Sequence, residues 1–197
     1  MPKSLAIDVV LLPPEDVMAK CRELNARLWE ETKQGFRFDD THLPHITLVQ
    51  QYIRSADQPA VMTAITSIAN NTRPITFDIT KISAETFEGL NIFGFELSNP
   101  ANFQRLQNIL LAKLEPFVAT GDENGWYRDS GESIRTGSLK WVDEFRTKSS
   151  HHPHMTLGVG PTPVLNEPFS FTASRLAVCH LGNFNTCRKI LQEWRLQ

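Results

Sequence analysis

The heptad His42-Leu43-Pro44-His45-Ile46-Thr47-Leu48 returns 109 positions later as His151-His152-Pro153-His154-Met155-Thr156-Leu157. Five of the seven places are identical, and the two copies hold five of the chain's six histidines. Packing alone does not concentrate so scarce a titratable residue. Proline forces the residue before it into extended backbone and is tolerated only at the beginning or edge of a strand. Each copy therefore predicts a strand that starts at about His45 and at about His154. Side chains alternate along a strand, so His45 and Thr47 share one face while Ile46 and Leu48 take the other. His154 and Thr156 oppose Met155 and Leu157 in the same way. Two such strands, adjacent or facing across a groove, bring two imidazoles and two hydroxyls into one small volume.

That set suits a phosphodiester. A neutral histidine takes a proton from attacking water, and a protonated one gives a proton to the leaving sugar oxygen. An ordinary pKa of about 6.5 makes both states accessible at neutral pH. Threonine hydroxyls can donate to the non-bridging oxygens as negative charge grows there. No metal and no cofactor is needed for these steps. The ten glycines are scattered and form neither G-x-G-x-x-G nor G-x-x-x-x-G-K-[ST], so the commonest signatures of dinucleotide and ATP chemistry are missing.

Outward from the repeat, period-two and period-3.6 patterns alternate. Residues 5–12 read as a buried strand. Pro13-Pro14-Glu15-Asp16 then opens a helix with Val17, Cys21, Leu24 and Leu28 on one face, ending near Gly35. Asp57 and Pro59 open a second helix, closed by Asn70-Asn71. Ile75, Phe77 and Ile79 alternate with Thr76, Asp78 and Thr80, the pattern of a sheet with one wet face, and residues 90–97 read as its partner. Asn99-Pro100 opens a third helix faced by Phe103, Leu106, Leu110, Leu114 and Phe117. Further strands are read at 154, 169–173, 176–181 and 189–196, with Gly182-Asn183-Phe184-Asn185 as a hairpin turn. Strands that follow one another directly favour an α+β fold with antiparallel pairing.

Residues 119–150 show no sustained period and read as a loop insertion able to act as a lid. Within it Trp126, Tyr127 and Arg128 are candidates for base stacking and phosphate contact, with Arg135 and Lys140 as further cations. His42, His151 and His152, ahead of the strand starts, read as loop or supporting residues. Cys179 and Cys187 flank the hairpin and can face each other, but reduced cysteines are the expectation. Asp8 stands in an otherwise apolar strand and must lie at an exposed edge or be hydrogen-bonded.

The chain has 197 residues, 41% hydrophobic and 21% charged, which fits one domain with a sizeable core. Its formal charge of −2 argues against tracking many nucleic-acid phosphates. No apolar run reaches the ~18 residues of a membrane span, and three cysteines make no disulfide framework. A cytoplasmic monomer is expected.

Two H-x-T strands about a hundred residues apart resemble the two-histidine (2H) phosphoesterase superfamily, which includes the 2'-5' RNA ligase or RNA 2',3'-cyclic phosphodiesterase group. The resemblance spans residues 1–197 and includes the closing strand Ile190-Leu191-Gln192-Glu193-Trp194. It implies a bilobal fold of two pseudo-symmetric lobes, each a small antiparallel sheet flanked by helices. His45, Thr47, His154 and Thr156 would then line the groove between them. The implied activity is metal-free opening of 2',3'-cyclic phosphates of nucleotides or RNA ends to 2'-phosphomonoesters, with such a nucleotide or terminus as partner. Related branches cleave 2',5'-linked oligonucleotides, and a non-catalytic RNA or nucleotide clamp is the alternative from outside enzymology. The 119–150 segment is longer than in the common bacterial form and bears on substrate choice.

Overall fold

Residues 3–147, 152–161, 163–165 and 167–197 are described by the structure, a computed structural model. The apolar run near the N-terminus forms β1 (Ser4–Leu12), whose last seven residues are all buried, as a central strand requires. Pro14 sets extended backbone ahead of α1 (Glu15–Thr32), and Glu15 and Asp16 place negative charge on its first turn. β2 (Ile46–Arg54) follows Pro44, and α2 (Gln58–Ala69) carries proline in its first turn. β3 (Ile75–Phe87) alternates buried and exposed as far as Ile79. It turns into β4 (Leu90–Leu97) through Glu88 and Gly89, at φ 49° and 78°. Then come α3 (Ala101–Leu114), α4 (Thr136–Glu144), β5 (His154–Val159), β6 (Phe169–Ala173), β7 (Arg175–Gly182) and β8 (Thr186–Arg195). Among the described residues no helix is long and apolar enough to cross a membrane.

The strands make two antiparallel four-stranded sheets, ordered β2-β1-β7-β8 and β5-β4-β3-β6. Both H-x-T strands are thus edge strands, which is where their prolines can sit. The two lobes repeat each other down to a bulge. In β1–β2 the register runs Asp8↔Gln50, Val9↔Val49, Val10↔Thr47, skipping Leu48. In β4–β5 it runs Ile92↔Val159, Phe93↔Gly158, Gly94↔Thr156, skipping Leu157. Leu48 and Leu157 are the same position of the repeat, so each lobe spends one residue past its threonine on the bulge, which bends the strand locally.

The helices cross over between lobes. α1, which joins β1 to β2, packs on β5, whereas α3, which follows β4, packs on β2. Each carries one buried amide to the skipped leucine's carbonyl: Asn25 Nδ2 donates to Leu157 O at 2.8 Å, and Gln107 Nε2 donates to Leu48 O at 3.1 Å. One continuous core draws on both sheets and on α1, α2 and α3, through Val9, Leu28, Ile65, Phe77, Phe103 and Leu157 among others.

Close approach of β4 to β5 depends on Gly94. A Cβ there would lie 2.9 Å from Met155 O and 3.4 Å from Thr156 Cα, backbone atoms that cannot swing aside. Gly94→Ala is expected to cost about 1–3 kcal/mol, as overpacking does, and to lower turnover by displacing His154. Thermal melts and assays on the same preparation check both effects.

Two expectations are corrected. The 119–150 segment is not a structureless loop as far as it is described: it contains α4, whose Ser138 and Val142 are buried, and residues 148–150 lie outside the described residues. Cys179 and Cys187 are not reduced but joined in a disulfide across β7 and β8, so the cysteine count carries no argument about redox compartment.

Candidate active site

His45, Thr47, His154 and Thr156 line one groove of about 130 Å³, together with Gln50, Glu85, His152 and Asn185. The edge position of β2 and β5 leaves these side chains at the opening between the sheets. A larger cavity of about 450 Å³, between α1 and residues that include Pro161, Pro163 and Phe169, has no histidine among its described lining residues; chemistry rather than size selects the site.

The two imidazoles are held alike. Each Nδ1 lies against the carbonyl two residues earlier: His45 to Leu43 O at 2.8 Å, His154 to His152 O at 3.0 Å. A carbonyl can only accept, so Nδ1 carries the proton and Nε2 is left to serve the groove in both residues. Leu43 is itself tied down, its N–H donating to Cys187 O at 3.0 Å. Surroundings separate the pair. His45 keeps only 13% of its side chain exposed, whereas His154 is exposed. Burial, helped by the nearby His154, pulls His45 down to about 4 against the hydrogen bond to Leu43.

Behind His45 lies Asp8, fully buried on β1. Its Oδ2 accepts from Thr47 Oγ1 at 3.0 Å and from Gln50 Nε2 at 2.7 Å, and stands 3.5 Å from His45 Nε2. Asn185 Nδ2 donates to Gln50 Oε1 at 3.1 Å, extending the network to the β7–β8 turn. Burial pushes the Asp8 carboxyl well above its ordinary value. A charge in an apolar strand was the signal, and of its two readings the hydrogen-bonded one holds, at a central strand rather than an edge.

The groove's walls are aromatic: Phe36, Phe87, Trp141, Phe145 and Phe184. The candidates Trp126, Tyr127 and Arg128 are elsewhere. Trp126 is buried with Ala6, Ile134, Val142 and Leu181, its Nε1 donating to Tyr52 Oη at 2.7 Å, because a large apolar ring gains more from a core than from solvent. Tyr127 packs on His180 and under the Arg188 guanidinium. Arg128 reaches Glu123 and Asn124. The insertion meets the groove through Trp141 and Phe145 instead. Arg135 pairs with Glu88 and covers the Phe184 ring at 4.8 Å, and Lys140 pairs with Glu144. Among the described residues no lysine or arginine lines the groove.

His42 stacks on Phe36 and faces Asp39 at 3.2 Å, as a loop residue beside the groove; His152 lines it; His151 lies outside the described residues. No group of three or more His, Cys, Asp or Glu among the described residues is arranged to hold a metal ion.

The sequence profile of the 2'-5' RNA ligase superfamily matches residues 13–180, both H-x-T strands included. The chain belongs to that superfamily. Membership carries phosphoesterase chemistry with it, and the fold agrees. A Thermus thermophilus protein, TT0787, is 16% identical with a TM-score of 0.65, covering 98% of each chain. Escherichia coli LigT, crystallised with 3'-AMP, is 15% identical with a TM-score of 0.57, covering 99% of each chain. At these identities the likeness is one of fold. LigT has also been crystallised with ATP and with NADP+. No curated protein matches the chain.

Proposed function

We propose that the protein opens the 2',3'-cyclic phosphate of a nucleotide or RNA end to a 2'-phosphomonoester, with His45 as general base and His154 as general acid. The observation that carries this reading is the matched pair of edge strands, which bring two imidazoles of one tautomer to a single groove. His45 is the buried member and stays neutral, as a base must be. In the reaction its Nε2 takes a proton from water as the water oxygen bonds to phosphorus. The P–O3' bond breaks, and Nε2–H of protonated His154 gives its proton to the departing O3'. Water then returns both histidines to their starting states.

Thr156 supplies a hydroxyl to the non-bridging oxygens. Thr47, whose hydroxyl donates to Asp8, offers lone pairs to the groove and orders the attacking water. The aromatic walls accept a base by stacking, and the lack of lysine and arginine among the described lining residues fits a substrate with few phosphates. That LigT binds nucleotides supports this ligand class.

A substrate panel with EDTA present tests the proposal. Cyclic 2',3'-mononucleotides and a cyclic-phosphate-ended oligomer are expected to yield 2'-phosphates. Release of mononucleotides from 2',5'-oligoadenylate alone would move the assignment to 2',5'-phosphodiester cleavage. Binding without turnover between pH 5 and 8 would make the protein a clamp.

A further inference from the structure

The repeat makes the two halves of the groove nearly equivalent, and one position breaks the equivalence. Asp8 on β1 opposes Gln50, three residues beyond Thr47; the corresponding residue on β4 opposes Val159, three beyond Thr156, and is Ile92. Ile92 lines the groove on the His154 side. The same place in the same bulged register thus holds a carboxylate behind one histidine and a hydrocarbon beside the other.

An isolated carboxylate in a protein interior costs several kcal/mol, and an apolar residue would complete β1 without that cost. Asp8 is fully buried, and its Oδ1 has no hydrogen-bond partner among the described residues. Its other oxygen meets Thr47, Gln50 and, at 3.5 Å, the one nitrogen of His45 not bound to a backbone carbonyl. We propose that Asp8 is a positioning residue: with His45 it forms one proton-sharing pair, which reserves His45 for the base and leaves His154 the acid. This rests on the phosphodiesterase reading above and deepens it.

Burial alone mistunes both members. It makes the imidazole reluctant to gain a proton and the carboxyl reluctant to lose one. Paired, they hold one proton with no net buried charge, either as imidazole beside carboxylic acid or as imidazolium beside carboxylate. The pair that has lost its proton is the base, and taking a proton from water cancels its buried negative charge. His154, with Ile92 at the matching position, gains no such help.

Among the described residues few other charges face the pair. His154 and His152 approach from β5 and its leading loop, and Glu85 from β3. Cys179 lies opposite Asp8 on β7 but is in the disulfide and does not titrate. α4 contributes Trp141, the turn after it Phe145, and the β7–β8 turn Phe184 and Asn185, all uncharged.

The test is a nuclear magnetic resonance titration of the His45 ring nitrogens in the wild-type protein and in Asp8→Asn. Removing the anion is expected to lower the His45 midpoint by about one pH unit or more, as an opposite charge at this range commonly shifts a pKa by 1–3 units. An unchanged midpoint overturns the proposal. Should Asp8→Asn fail to fold, the wild type still decides: the Asp8 carboxyl carbon and the His45 nitrogens are expected to share a titration step, and independent midpoints overturn the pair. Neither reading needs turnover, so a protein inactive on every cyclic phosphate would refute the proposed function and the base and acid roles with it, while the titration would still decide the Asp8–His45 pair. If the enzyme is active, Asp8→Asn is expected to move the acid limb of its kcat/KM profile to lower pH. A purely structural role would lower activity without moving that limb.

Discussion

Replacing either His45 or His154 with alanine is expected to cut turnover of a 2',3'-cyclic nucleotide by about 10²- to 10⁴-fold, the range a positioned proton-transfer group contributes. The two losses should not add. Both histidines act in one displacement, so once either transfer is missing the other has little left to assist, and the double variant should approach the weaker single. Folding should survive both changes. His154 is exposed, and His45→Ala gives up the hydrogen bond to Leu43 O, worth about 1 kcal/mol, and the contact with Asp8, whose carboxyl keeps its bonds from Thr47 and Gln50. His42→Ala makes the control: it comes from the same heptad and has the same imidazole, but does not line the groove. Steady-state rates with melting curves check the set. Full activity in both alanine variants would end the catalytic assignment, and an equal loss in His42→Ala would locate the effect in the loop rather than in proton transfer.

What the repeat revealed in sequence, and what it hid, follows from the range of each interaction. Strand starts at His45 and His154 were legible because proline acts on its immediate neighbour and alternation has a period of two. The α+β class, and the wet and packed faces of Ile75 to Thr80, came from equally local patterns. The groove's walls did not. Phe36, Phe87, Trp141 and Phe184 come from four separate stretches, and only the packing of both sheets and α4 brings them together. Trp126 and Trp141 carry the same ring within one aperiodic segment, and sequence offers no means of telling which is buried against Tyr52 and which meets the groove. The disulfide depended on the β7–β8 register, which contains two irregularities. Asp8 was half legible: its charge was conspicuous, while its partners on β2 were not. The bulges at Leu48 and Leu157 were invisible, yet their supports left a trace. Asn25 interrupts the apolar stripe of Val17, Cys21 and Leu28 on α1, and Gln107 adjoins Leu106 and Leu110 on α3; a polar residue on a buried helix face signals a specific bond.

Asn25→Ala is accordingly expected to be among the most destabilising single changes in the protein. The amide makes three bonds: Nδ2 donates to Phe36 O at 3.0 Å and to Leu157 O at 2.8 Å, and Oδ1 accepts from Phe38 N at 2.7 Å. Alanine leaves three buried backbone groups without partners, at about 1–3 kcal/mol each, so an additive loss is about 3–9 kcal/mol. Gln107→Ala breaks one such bond, to Leu48 O, and should lose about 1–3 kcal/mol. Denaturant titrations measure the difference through the midpoint at unchanged slope. The crossed placement of the helices adds a test that stability alone does not provide. Asn25 sits on α1 but supports the bulge next to Thr156, so its loss should raise amide exchange first in β5 and slow turnover at temperatures where the protein remains folded. Gln107→Ala should do the same in β2, beside Thr47. Uniform exchange in both variants, with turnover unchanged below the melting transition, would show that the amides stabilise the fold without holding the H-x-T strands in place.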